Sequence, residues 1–86
     1  MNNNWENSWK AKKITKETIE QLDISTVNKE ILVKHLDLLR AYHEVPVNII
    51  VFFDSVIAYY GLIFMFELFA HFVKNGIIEL DEVVNN

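Results

Sequence analysis

The sequence predicts an all-α fold, a small bundle of two to three main helices that is completed by oligomerisation or by a partner. Apolar residues fill 51% of the 86 positions, which is enough to bury a core. Two glycines and one proline are too few for a turn-rich β fold. Apolar residues also recur at helical spacing on both sides of the single proline.

The first helix is predicted at about 15–22, where Ile14, Ile19 and Leu22 recur at helical spacing. Thr15 and Thr18 stand at the spacing of a capping box, although Thr at the second position is a weak version of it.

The second helix is predicted at about 26–43, with Ser25 or Thr26 able to cap its free N–H groups. Charged residues occupy one side of this segment, so the helix is amphipathic and needs a partner. Its broad apolar stripe is formed by Val27, Ile31, Leu32, Leu36, Leu38, Leu39 and Tyr42.

The third helix is predicted at about 46–75 and starts at Pro46, a residue that suits the first helical position. Eight of the eleven aromatic residues lie in 52–72, and apolar side chains point in every direction around the helix. Such a helix is buried by protein or by lipid. A strand over 47–53 is the competing interpretation, because Ile, Val and Phe favour sheets, but the segment lacks alternation.

Two glycines mark changes of direction in this last part of the chain. Gly61 is expected to kink the third helix or to allow a close approach. Asn75 and Gly76 supply the left-handed stop expected after a helix end. Ile77 and Ile78 can then fold back over that end, and a short C-terminal turn is expected from Asp81 onward.

The domain organisation is predicted as a polar, basic arm at 1–13 followed by one helical domain at 14–86. Trp5 and Trp9 are four residues apart and would share a face if the arm were helical. Two roles are open for this pair: packing that pins the arm to the body, or anchoring to a partner or a membrane interface.

Charge is distributed unevenly. Residues 1–16 carry four lysines against Glu6, a balance of +3, whereas residues 17–86 carry eleven acids against four cations, a balance of −7. Because attraction to phosphate dominates nucleic-acid affinity, the acidic body argues against a nucleic-acid partner. The lack of cysteine fits a reducing compartment, so a cytoplasmic location is expected.

The composition also points to the source of the gene. Asn, Ile, Lys, Phe and Tyr, whose codons are AT-rich, fill 35 positions. We therefore expect an AT-rich bacterium, phage or mobile element.

An interaction surface is predicted on the third helix, because the rest of the chain is too short to cover its whole circumference. The expected occupant is a second copy, in a homodimer or higher oligomer, or a different protein. Such a regulator, inhibitor or small subunit needs no cofactor. The expected interface residues within 46–73 are Phe52, Phe53, Asp54, Tyr59, Tyr60, Phe64, Phe66, Phe69 and Phe72.

The rival interpretation is a single-span protein of the inner or plasma membrane, anchored by residues 47–66. Twenty residues are long enough to span a hydrocarbon core. Three cations precede the span within its nearest helix and one follows it, which would place the N-terminus inside. Asp54, close to the middle of the span, opposes insertion.

Asp54 is expected to lie in a core or an interface, where an unpaired carboxylate would be costly. The hydroxyl of Tyr59 or Tyr60 from a neighbouring helix or chain is the expected hydrogen-bond donor.

No motif in the sequence predicts an enzyme or a metal site. Phosphate-binding glycine loops, nucleophile elbows and paired catalytic carboxylates are missing from the sequence. Glu67 and His71 share a helix face, but they are expected to form a polar stripe rather than a metal site. His35 and His43 are interpreted as surface residues.

Overall fold

A computed structural model describes residues 9–43 and 47–79 of the chain. In these two ranges the fold is all-α, which confirms the predicted small bundle. A 3₁₀ turn precedes the helices. The described elements are, in chain order, the 3₁₀ turn Trp9–Ala11 and the helices α1 (Lys16–Glu20), α2 (Thr26–His43), α3 (Ile49–Tyr60) and α4 (Leu62–Lys74).

Helix α1 is shorter than the predicted 15–22, and its start is fixed by two threonines. The hydroxyl of Thr15 accepts from the Thr18 N–H at 3.2 Å, and the hydroxyl of Thr18 accepts from the Thr15 N–H at 3.1 Å. The capping box therefore forms although Thr replaces the usual acid or amide. The chain turns after Gln21, and Leu22 lies buried beyond the helix end.

Helix α2 has the predicted bounds. Its N-terminus is capped by Ser25, whose hydroxyl accepts from the Asn28 N–H at 3.1 Å. The buried face is narrower than the predicted stripe, because Val27, Leu38 and Tyr42 are exposed. The side chains that α2 buries are Leu32, His35, Leu36 and Leu39.

The single helix predicted at 46–75 is wrong, since Gly61 divides the segment into α3 and α4. The competing strand over 47–53 is also wrong, because α3 starts at Ile49. The cap of α3 is Asn48, whose side-chain oxygen accepts from the Val51 N–H at 2.9 Å. The predicted role of Pro46 lies outside the described residues.

The end of α4 follows the predicted stop. Gly76 has a φ of +77°, a left-handed conformation that suits glycine. The N–H groups of Ile77 and Ile78 both donate to the Phe72 carbonyl, at 2.9 and 3.2 Å. Ile78 is fully buried, as the fold-back predicted. The turn expected from Asp81 lies outside the described residues.

An extended segment ties the predicted arm to the start of α3. The Ile14 N–H donates to the Val47 carbonyl at 2.7 Å, and the Ile49 N–H donates to the Lys12 carbonyl at 2.8 Å. These two bonds hold residues 12–14 beside 47–49, and this contact brings the 3₁₀ turn against the bundle.

The hydrophobic core draws on every described helix. The ring of Phe53 lies 5.9 Å from Phe69 and 5.3 Å from Phe72, so α4 turns back on α3. This return buries one side of each helix within the chain itself. The largest fully buried side chains are Phe52, Phe72, Ile14, Ile19, Leu22, Leu32, Leu36, Ile49 and Ile78.

Candidate interaction surface

A sharp bend at Gly61 separates α3 from α4. Gly61 is the single residue between the helices, and its φ of +95° and ψ of 164° lie in a region that is essentially restricted to glycine. Its N–H donates to the Ile57 carbonyl at 3.0 Å, and its carbonyl accepts from the Met65 N–H at 3.2 Å. The bend presents the end of α3 and the start of α4 at one corner of the bundle.

The corner exposes six large apolar side chains, which we call the apolar corner. Ile63 is 77% exposed, Tyr59 is 62% exposed and Phe66 is 58% exposed. If each of the six presents roughly 200 Å² when free, the value for an aromatic side chain, their exposed fractions add up to roughly 600 Å². The apolar corner consists of Ile57, Tyr59, Tyr60, Leu62, Ile63 and Phe66.

The stretch of chain that forms the apolar corner carries no charged side chain. The twelve residues 55–66 contain no Asp, Glu, Lys or Arg. Asp54 on α3 and Glu67 on α4, the first charged residues on either side, are both exposed. An apolar centre with a polar rim is the usual anatomy of a protein–protein interface.

The tyrosines of the apolar corner rest on a buried histidine, His35 of α2. Its ring lies 5.0 Å from Tyr59 and 5.5 Å from Tyr60, in edge-on arrangements that aromatic rings favour. His35 Nε2 and the Ser55 hydroxyl oxygen are 2.6 Å apart. The interpretation of His35 as a surface residue is therefore wrong, because the side chain is 2% exposed.

Burial also changes the chemistry of His35. Removal from water disfavours the imidazolium and lowers the pKa of His35 below its ordinary value of 6.5. The ring is therefore neutral at neutral pH, and it supports Tyr59 and Tyr60 without adding a charge beneath them.

Three of the predicted interface residues lie instead in the core of the chain. Phe52 and Phe72 are fully buried and Phe53 is 6% exposed. Because the bend at Gly61 folds α4 onto α3, these rings cover one another within a single chain. They cannot contact a partner in this conformation.

The other predicted aromatic residues lie at or near the surface. Tyr59, Tyr60 and Phe66 are exposed in the apolar corner. Phe64 and Phe69 are half-buried, with one side against the core. The sequence did not single out Ile57, Leu62 and Ile63, although the apolar run on both sides of Gly61 contains them.

Asp54 is exposed on α3 and lies at the rim of the apolar corner. Its predicted place in the core is wrong, because α3 turns this position toward solvent. Tyr59 and Tyr60, the expected donors, pack on His35. A role for Asp54 at an interface stays a prediction.

Trp9 pins the start of the described chain to α4. Its ring lies 6.0 Å from Phe69 in an edge-on arrangement, and the side chain is buried. Lys12 adds a second link, because its ammonium group donates to the Ile77 carbonyl at 2.5 Å. Of the two roles open for the tryptophan pair, Trp9 takes the pinning one, and Trp5 lies outside the described residues.

Glu67 and His71 line a small crevice between α2 and α4. The crevice has a volume of about 40 Å³, and Asn28 and Phe64 also line it. His71 Nδ1 is buried, and no polar group of residues 9–43 and 47–79 reaches it. The space suits a water molecule. In the same ranges, no three His, Cys, Asp or Glu side chains group as metal ligands would.

Comparison with protein-family models, curated proteins and solved structures finds no match to this chain. Among the helices within 9–43 and 47–79, none combines the length and the apolar character that crossing a bilayer requires.

Proposed function

We propose that this chain is a small, non-enzymatic interaction protein that binds a second copy of itself through the apolar corner. The observation that carries the proposal is the exposure of six large apolar side chains around one bend. Exposed apolar patches of several hundred Å² mark interaction sites in soluble proteins.

The area of the apolar corner suits a dimer. Specific interfaces bury about 800 Å² on each partner, and the smallest stable ones bury about 600 Å². The roughly 600 Å² of the corner, together with its rim, reaches this range. A symmetric pair would cover the same patch on both chains, as two-fold dimers do.

The chemistry of the apolar corner also favours a second copy. Because residues 55–66 carry no charge, two copies can bring these surfaces together without repulsion at the centre. Asp54 and Glu67 stay at the rim, where water screens them. The hydroxyl groups of Tyr59 and Tyr60 can bond across the interface or to water, which suits tyrosine at interfaces.

The same surface could serve a regulator, an inhibitor or a small subunit. We place the protein in the cytoplasm of an organism with an AT-rich genome, because the chain has no cysteine and its composition favours residues with AT-rich codons.

The test is sedimentation velocity on two matched variants over a range of concentrations. Ile63→Glu places a carboxylate at the centre of the apolar corner, and we expect the dimer to dissociate at least about 100-fold more readily. Tyr42→Glu is the control, since Tyr42 is 76% exposed and lies two turns along α2 from His35, toward the start of α3. An equal effect of both variants, or no effect of Ile63→Glu, would contradict the proposal.

A further inference from the structure

We infer that the second copy is bound by exchange of α4. In this arrangement Gly61 straightens, α3 and α4 become one helix over 49–74, and α4 packs on the α3 of the other chain. The inference rests on the proposed function, because it describes how two copies assemble. Four features of the bend support it.

The first feature is the hinge itself. A single residue, Gly61, carries the whole change of direction, and its φ of +95° is open to glycine but strained for other residues. Apart from Gly61 and its two neighbours, no atom of residues 9–43 and 47–79 lies within 4 Å of the position that a Gly61 Cβ would occupy. Straightening the bend needs a change of φ and ψ at this residue. Short hinges of this kind favour exchange between copies.

The second feature is the hydrogen-bond pattern around the hinge. The bonds from Gly61 N–H to the Ile57 carbonyl and from Met65 N–H to the Gly61 carbonyl already have the four-residue spacing of an α-helix. In the described part of the chain, no side chain caps the start of α4. Straightening would pair the N–H groups of residues 62–64 with the carbonyls of residues 58–60. Exchange therefore supplies internal partners for the uncapped helix start.

The third feature is that exchange retains the core. In the exchanged dimer Phe69 and Phe72 of one chain would pack on Phe53 of the other, as they do within one chain here. The ion pair between Lys74 and Asp23, with N–O at 3.3 Å, would likewise join the two chains. Contacts of α4 that lie away from the hinge, such as these, are available between chains.

The fourth feature is the position of the apolar corner, which surrounds the hinge on both sides. When α3 and α4 form one helix, the two long helices run past each other at Gly61. The exposed side chains of one corner then face those of the other. Exchange thus provides the cover that the apolar corner lacks in a single chain.

The test uses the absence of native cysteine. One chain carries Asp23→Cys and a second carries Lys74→Cys, two exposed positions that are adjacent in the fold. The chains are mixed in denaturant, refolded together and treated with a short thiol cross-linker. Exchange predicts a covalent species of twice the chain mass. A dimer that yields no such species would overturn the exchange and leave the proposed function intact, whereas the absence of any dimer would overturn both.

A second pair of variants tests the hinge directly. Gly61→Ala penalises the bent form and favours the continuous helix, so we expect at least about a tenfold tighter dimer. Gly76→Ala is the control, because Gly76 also has a positive φ and open space around its Cβ position but moves with α4 in both forms. Sedimentation velocity measures the dissociation constant of the dimer for both variants. If Gly61→Ala leaves the dimer affinity unchanged or lowers it, Gly61 is not the hinge of the exchange. The same conclusion follows if Gly76→Ala raises the affinity equally.

Discussion

His35 Nε2 and the hydroxyl oxygen of Ser55 lie 2.6 Å apart and join α2 to α3 beneath the apolar corner. The bond satisfies the one buried polar side chain of the described core. It also sets the ring of His35 against Tyr59 and Tyr60. The buried imidazole therefore contacts both the core, through Ser55, and the exposed tyrosines of the apolar corner.

The first prediction concerns pH. Because the pKa of His35 is lowered in the folded state, the unfolded chain takes up the proton first as the pH falls below 6.5. Stability should therefore decrease from pH 6.5 downward and level off below the folded pKa. Denaturant unfolding between pH 5 and pH 7 should show a flatter profile for His35→Gln than for the wild type. If the stability of both proteins changes with pH in parallel, the His35 imidazole is not the group that causes the pH dependence.

The second prediction compares two phenylalanines on α4. Phe72 is fully buried, so Phe72→Ala should lower the free energy of unfolding by about 3–5 kcal/mol. Phe66 is 58% exposed, so Phe66→Ala should change the stability of the monomer by less than about 0.5 kcal/mol. Urea titration at concentrations low enough to exclude dimers measures both. Similar losses at the two positions would mean that the faces of α4 are wrongly assigned.

The third prediction concerns the start of α1. Thr15→Ala removes the bond from the Thr18 N–H to the Thr15 hydroxyl, keeps the bond from the residue 15 N–H to the Thr18 hydroxyl, and should cost about 1 kcal/mol of stability. Thr26→Ala on α2 is the control, because Ser25 caps that helix. Thermal unfolding compares the stability of the two variants. A loss of stability in Thr26→Ala but not in Thr15→Ala would contradict the assignment of the caps.

Local signals were sufficient to predict α2 and the end of α4. Helix α2 has its predicted bounds because a serine cap and an amphipathic pattern agree along its length. The end of α4 was predicted for the same reason, since Gly76 acts through its own backbone conformation. The pattern of α2 and the glycine stop of α4 both act on residues close to them in the sequence, so they can be recognised without the fold.

The bend at Gly61 was harder to predict because apolar side chains surround the segment on all sides. Such a pattern does not show which face of the helix is buried. It therefore fits one long helix as well as two helices that pack against each other. A glycine within a helix is compatible with either outcome. Whether one helix or two form depends on the packing of Phe53 against Phe69 and Phe72. The spacing of residues along the sequence does not reveal this tertiary contact.

The role of His35 was missed for a related reason. Its partner Ser55 is twenty residues away, on a different helix. No local pattern indicates which polar side chain of α2 will face α3. The sequence also predicted an apolar interface within 46–73, which stays a prediction. It could not separate Phe52 and Phe72, which are buried in the core, from Phe66, which is exposed.

The fourth prediction concerns Asp54. Because the side chain is exposed, Asp54→Asn should change the free energy of unfolding by less than about 0.5 kcal/mol. Asp37→Asn, at an exposed position of α2, is the matched control. Urea titration compares them. A much larger effect at Asp54 would indicate that the carboxylate has a buried partner in the assembled protein.

The measurement that tests the central claim most directly is the mass of the wild-type chain in detergent-free solution, by sedimentation equilibrium over a wide range of concentrations. Binding of a second copy through the apolar corner predicts a mass that rises from 10.1 kDa to twice that value as the concentration increases. A mass that stays at 10.1 kDa throughout, with the apolar corner uncovered, would contradict the account.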